Sequence, residues 1–247
     1  MPFVEGAGVA LHVAERGDGP AVLIVHGMAS DGAALAPVLA ELAAGGARAI
    51  AFDRRGYGSS GAPQPYAATT VQEQAQDTDA VLEALAAAPA LLVGEGFGAI
   101  VVLELLVRRP ELARGAVLVD PPLHAFVPAA TAALAAERSL LEEGLREGGP
   151  EAAIRAWLAA EGDDDPARAA RAVAASLGFF ADYAGQSSWS PSRRELRAIA
   201  GPAIVLTGSA TPAHILAAAD VLAELMPAAQ RATDGDVVSA ALALLEP

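Results

Sequence analysis

The chain has 247 residues, 53% of them hydrophobic, with 30 acidic against 16 basic residues and a formal net charge of −14. That balance argues against nucleic acid and anionic membrane surfaces as partners. The absence of cysteine excludes disulfides, thiolate metal sites and a cysteine nucleophile.

In chain order, short β-type runs alternate with alanine- and leucine-rich helical stretches. Strands are predicted over residues 9–13, 22–26, 47–52, 90–94, 116–119 and 203–207, and helices over 32–44, 71–87 and 97–108. This alternation implies an α/β architecture, a mostly parallel central sheet with helices on both faces. Right-handed crossovers then gather the loops that follow the strands along one edge, where ligands bind. The pattern changes after Asp120-Pro121-Pro122. Residues 131–147, 150–161, 166–177 and 192–200 read as helices with no strand between them, Asp165 serving as N-cap before Pro166. Strand character returns at residue 203, and a last helix is expected over 237–245. Two parts follow: a core from 1–122 and 201–247, and a helical insert from 123–200. The opening residues hold acids and glycines where a leader peptide has a basic and then an apolar stretch, so a cytoplasmic location is expected. No apolar run is long enough to span a bilayer. No histidine or carboxylate cluster has metal-ligand spacing, so neither a metal nor another cofactor is expected. Nothing in the pattern sets an oligomeric state.

Residues Gly94-Glu95-Gly96-Phe97-Gly98 lie between a strand run and a helix run. Upstream, His26-Gly27-Met28-Ala29-Ser30 follows a strand, and Asp53-Arg54-Arg55-Gly56-Tyr57-Gly58-Ser59-Ser60 forms a glycine-rich turn. Downstream, Arg109-Pro110-Glu111 ends a helix and Val119-Asp120-Pro121 ends a strand. In this order and spacing the motifs resemble those of the α/β-hydrolase superfamily: its His-Gly oxyanion loop, its Asp-x-Arg-Gly turn and its Gly-x-Ser-x-Gly nucleophile elbow. The resemblance covers most of the chain and implies an α/β-hydrolase fold whose helical insert is a cap, or lid, over the pocket. It departs at the three working positions. Gly96 stands at the nucleophile's place, Ala210 of Gly208-Ser209-Ala210 at the acid's, and Asp236 of Asp234-Gly235-Asp236 at the histidine's. Those roles depend on one another, so the resemblance implies a degenerate triad. The family's oxyanion hole uses backbone N–H groups, which here belong to Met28 and Phe97 and survive side-chain substitution. Phe97 also opens a helix, whose N-terminus adds positive potential.

The catalytic candidates are therefore the Met28 and Phe97 amides, with Glu95, His124 and Asp236 as groups able to move a proton. Each side chain also has a plainer reading: Glu95 in a polar network, His124 in an exposed loop, Asp236 as the N-cap of the last helix. Gly96 either relaxes a strained backbone or leaves room for substrate atoms over the amide pair. The substrate-binding candidates are Gly96, His26, His214 and the insert's Phe126, Trp157, Phe179, Tyr183 and Trp189, some of which simply pack the insert. His26 also reads as a loop-shaping residue and His214 as a surface one. Asp53 reads as a turn cap and Glu104 as structural. Three functions stay open. A non-hydrolytic enzyme (cyclase, isomerase, lyase or pericyclic catalyst) would act on an apolar, carbonyl-bearing small molecule in bacterial specialised metabolism. Each amide donor would then supply about 3–4 kcal/mol of transition-state stabilisation. A binding or scaffold protein would keep the pocket without turnover. A hydrolase would use a relocated base or nucleophile.

Overall fold

The computed structural model describes residues 2–246. Its strands are Phe3–Glu5 (β1), Ala10–Arg16 (β2), Ala21–Val25 (β3), Arg48–Phe52 (β4), Ala90–Glu95 (β5), Ala113–Val119 (β6), Ala203–Thr207 (β7) and Ala229–Thr233 (β8). They form one sheet in the order β1-β2-β4-β3-β5-β6-β7-β8. The β1–β2 and β2–β4 pairs are antiparallel and the rest parallel. The central strands are continuous apolar runs because both their faces are covered; all five residues of β3 are buried.

On one face lie Ala36–Ala44 (α1) and the last helix of the chain. Leu39 and Leu42 of α1 and Val238 and Ala241 of that helix pack there on Ile24, Val93 and Val117. The other face carries Val71–Ala84 (α2) and Phe97–Arg108 (α3), whose Val81, Ile100 and Leu103 join Leu23, Val25 and Leu92. Between β6 and β7 run four helices: Pro128–Ala160 (α4), Pro166–Ala174 (α5), Ser176–Ser188 (α6) and Arg193–Ala198 (α7). Ala213–Leu225 (α8) and Val237–Leu245 (α9) complete the chain. Gly148 and Gly149 are non-helical inside α4, so the two helices predicted over 131–147 and 150–161 meet at that break. No helix among the described residues is long and apolar enough to cross a membrane.

Both edge strands and the helix α6 depart from the sequence reading. The strand β1 is three residues long and sits at the sheet edge. At the opposite edge β8 reads Ala-Gln-Arg-Ala-Thr and is only half-buried, so it lacks the apolar run that marks a central strand. The helix α6 carries Gly178, Gly185 and three serines, all poor helix formers. Packing makes it a helix. A Cβ at Gly178 would lie 2.8 Å from the Gly56 carbonyl oxygen, and one at Gly185 2.9 Å from that of Thr69. Small residues thus let α6 lie directly on the core loops.

A buried ion pair fastens it there. Asp182 of α6 accepts from the Arg54 guanidinium at 2.7 Å, from the Tyr57 hydroxyl at 2.7 Å and from the Gln74 amide at 2.6 Å. All four side chains are buried. Charge in such a place is tolerated only when it is paired and hydrogen-bonded, as it is here.

Candidate functional site

The loops after β3, β5, β6 and β7 meet the insert around a cavity of about 480 Å³, a size suited to a small molecule. At its floor β5 ends in Glu95, the chain turns at Gly96 with φ 52° and ψ −119°, and α3 begins at Phe97. The backbone at Gly96 keeps a turn that L-residues rarely adopt and that glycine holds without steric strain. Its neighbours explain how strand and helix come so close. A Cβ on Gly94 would lie 2.6 Å from Ala99 Cα, and one on Gly98 2.0 Å from the Val25 carbonyl oxygen. A Cβ on Gly96 would meet only Gly27 Cα, at 3.8 Å. Open space therefore stands where a nucleophile's side chain would project.

The Gly27–Met28 loop crosses the same spot, a Cβ on Gly27 lying 3.0 Å from the Glu95 carbonyl oxygen. Neither the Met28 nor the Phe97 N–H is hydrogen-bonded to another described residue, and both residues line the cavity. Phe97 heads a twelve-residue helix, so its amide adds to the positive end of that dipole. The variant Gly96→Ser should fold, losing about 1–2 kcal/mol to its positive φ. A denaturant melt checks this, and a collapse of the fold would mean that the space is not open.

Titratable groups ring this cradle. The Glu95 carboxylate projects into the cavity without a hydrogen bond or ion pair to any described residue. The protein walls around it raise its pKa by desolvation, Arg168 opposing and Asp120 reinforcing the shift. His124 stands half-buried at the head of the insert, its ring stacked on that of His214 with centroids 6.4 Å apart. Desolvation, followed by repulsion from His214, lowers the His124 pKa to about 4, so this imidazole is neutral at neutral pH. Its Nδ1 is buried without a partner, as is Nε1 of Trp157. Burial lowers the pKa of His214 as well. Asp120, at φ 44°, accepts from the Thr211 hydroxyl at 2.6 Å, and Thr211 accepts from the Gly208 N–H at 2.8 Å. Those two bonds tie the loop that bears Ala210 to the sheet edge.

From the insert come Glu137, Trp157, Glu161, Tyr183 and Arg168. Desolvation, with the charge of Glu161, raises Glu137 to about 7 from the usual carboxylate value. A raised carboxyl pKa favours folding only while the group is protonated. Its contribution is whole below pH of about 4.5 and is lost as the pH climbs through about 7. Glu137→Gln should therefore stabilise the protein at pH 8 by about 1–2 kcal/mol, allowing for partial solvent screening, with little effect at pH 4. Melting curves at the two pH values test this; an equal shift at both would contradict it.

Among the sequence candidates, the structure brings Met28, Glu95, Gly96, Phe97, His124, Trp157, Tyr183 and His214 to this cavity, with Ala210 beside them. Five others lie elsewhere. His26 is wholly buried behind the loop; its Nδ1 donates to the Gly27 carbonyl at 2.8 Å and its Nε2 accepts from the Arg54 N–H at 3.0 Å. It shapes the loop and has no face for substrate. Asp236 is exposed and caps α9, accepting from the Ser239 N–H at 2.7 Å. Phe126 lies under the Arg193 guanidinium, 4.6 Å from ring to cation. Phe179 is core, its ring edge-on to Trp157 at 5.2 Å. Trp189 donates to the Glu104 carboxylate at 3.0 Å, away from the cavity. Sequence reasoning passed over Glu137, Glu161 and Arg168, which sit on helices, or at the end of one, whose orientation one chain does not reveal. The acidic run at 163–165, whose Asp165 reads in the sequence as a helix N-cap, also lines the cavity.

A family model described as the alpha/beta hydrolase family matches residues 22–241. An epoxide hydrolase from Caballeronia sordidicola is 38% identical over 104 residues, 42% of this chain and 32% of that protein. A 2-(acetamidomethylene)succinate hydrolase from Mesorhizobium japonicum is 31% identical over 169 residues, 68% of this chain and 58% of that protein. The chain thus spans less than two thirds of the length of these curated relatives. The crystal structure of an alpha/beta hydrolase from Sphaerobacter thermophilus superposes with a TM-score of 0.75 at 25% identity, over 99% of this chain and 98% of that one.

Proposed function

Because the chain belongs to the alpha/beta hydrolase family, we propose that its cavity converts a carbonyl-bearing small molecule without a covalent nucleophile, as an isomerase, lyase or cyclase does. The observation that carries this is the Gly96 turn, kept at positive φ with open space above it and two unengaged amides beside it. Substrate carbonyl oxygen takes the Met28 and Phe97 N–H bonds, which strengthen as negative charge develops on it. Glu95, made more basic by its surroundings, removes a proton next to the carbonyl and can return it at another carbon. The neutral His124 and the unpaired Trp157 Nε1 offer further hydrogen bonds to the bound molecule. Met28, Phe97, Pro122 and Ile215 supply apolar walls for its carbon frame.

The test is hydrogen–deuterium exchange next to the carbonyl in a panel of small ketones, followed by NMR. Exchange should occur and fall about 100-fold or more in Glu95→Gln, while fluorophosphonates leave the protein unlabelled. Labelling, or exchange indifferent to Glu95→Gln, would overturn the reading. The names of the relatives support a second reading, in which Glu95 activates water against a carbonyl held by the same amides. That version releases carboxylic acid from simple esters and stops doing so in Glu95→Gln.

A further inference from the structure

In the dry interior the side chains of Arg54, Arg55, Gln74 and Asp182 are all hydrogen-bonded, as buried polar groups usually are. Among the described residues three buried side-chain nitrogens lack a partner: His124 Nδ1, Trp157 Nε1 and Arg171 Nε. Two of the three belong to residues that line the cavity, and both reach it from the insert. An unmatched buried donor costs about 1–3 kcal/mol. Its presence at a cavity wall points to what the cavity takes.

The indole narrows the choice. Its nitrogen is a donor with no capacity to accept, so the matching atom of an occupant is an acceptor. Charge narrows it further. Seven acidic residues and a single arginine line the cavity, and that arginine, Arg168, pairs with Asp163. An anionic acceptor is repelled in such surroundings, which leaves an uncharged oxygen. Position completes the argument. The Met28 and Phe97 amides belong to the strand-end loops, whereas Trp157 belongs to α4 of the insert. The Trp157 ring stands edge-on to Phe179 at 5.2 Å with its nitrogen covered, so it tips toward the cavity to present the N–H. The break at Gly148 and Gly149 gives the half of α4 that carries it room to follow.

We infer that the molecule taken by this cavity carries a second, uncharged oxygen remote from its reacting carbonyl, and that this oxygen accepts from Trp157 Nε1–H. The placing of the carbonyl on the Met28 and Phe97 amides rests on the function proposed above; the Trp157 contact does not. The occupant is then a compound with an oxygen at each end and an apolar stretch between them, a diketone or a keto ether for example.

The chain has two tryptophans, which makes the test direct. Trp189 Nε1 is held by the Glu104 carboxylate at 3.0 Å and serves as an internal reference. Benzylacetone with a para-acetyl group is titrated into the intact chain beside the para-isopropyl and para-carboxylate analogues. Calorimetry gives the affinities, and NMR follows the two indole N–H signals. The acetyl compound should bind about fivefold or more tightly than the isopropyl one, and more tightly than the carboxylate. It should move the Trp157 indole signal downfield and leave that of Trp189 in place. In Trp157→Phe, which keeps a ring and gives up the N–H, the preference for acetyl over isopropyl should vanish. Equal binding of those two compounds, a carboxylate that binds as tightly as the acetyl compound, or no binding of the acetyl compound would each overturn the inference. So would an unmoved Trp157 signal, or a preference that survives in the variant. The Met28 and Phe97 amide resonances keep the two proposals apart. If they shift while the Trp157 signal stays, the carbonyl reading stands and this one fails. If the Trp157 signal moves and those amides do not, the reverse holds.

Discussion

Replacing Asp182 with alanine should cost about 3–5 kcal/mol of stability, because it strands a buried cation. The Arg54 guanidinium has 1% of its side chain exposed and Asp182 none, so water does not replace the lost carboxylate. Tyr57 and Gln74 lose their acceptor in the same step, adding two unsatisfied polar groups to the core. The damage also reaches the site. Arg54 donates to the His26 and Gly27 carbonyls at 2.8 and 3.0 Å, and those residues carry the loop that presents the Met28 amide. Asp182→Asn keeps the shape and an acceptor, and should lose clearly less. Urea melts give the ordering, and amide exchange along α6 should speed up most in the alanine variant. A loss below about 1 kcal/mol would show that the ion pair does not hold the insert.

The second large effect belongs to Gly98→Ala. The added methyl would be placed 2.0 Å from the Val25 carbonyl oxygen and 2.7 Å from that of His26. Both obstacles are backbone, so α3 must move away from β3. Overpacking of this kind costs about 3 kcal/mol or more when nothing flexible can yield. Phe97 is the adjacent residue, so the amide pair should separate and carbonyl binding should fall along with the melting temperature. Gly96→Ala is the control: it meets open space and pays only for its positive φ, about 1–2 kcal/mol. Similar losses in the two variants would mean that conformation, rather than crowding, limits this turn.

The core was readable because its signals are local. β7 and α3 agree with the predicted bounds, since an unbroken apolar run and a Gly-x-Gly boundary set both ends. The helix expected from residue 32 starts at Ala36 instead, because Leu35 and Ala36 donate to Gly32 and Ala33 in two successive turns. That Gly32 is held by the Asp53 carboxylate at 2.6 Å, a partner twenty-one residues away. The site was legible to the same extent. Main-chain geometry at Gly94, Gly96 and Gly98 follows from glycine placement, and the Met28 and Phe97 amides follow from that. Side-chain roles did not. Asp236 and His26 sit where a motif alignment allows either task, and only their partners, Ser239 and Arg54, decide it. Asp182 had no motif at all, lying in a helix with weak propensity whose formation depends on contact with Gly56 and Thr69.

The Arg54–Asp182 pair also decides which part of the insert is anchored. Lifting α6 would break the contact and leave a guanidinium in a dry interior, so that helix stays seated on the core loops. Room to bend exists instead at Gly149 and Gly162, both at positive φ with free space around them. Gly162 leads directly into the 163–165 stretch, whose negative charge repels anions from the cavity it lines.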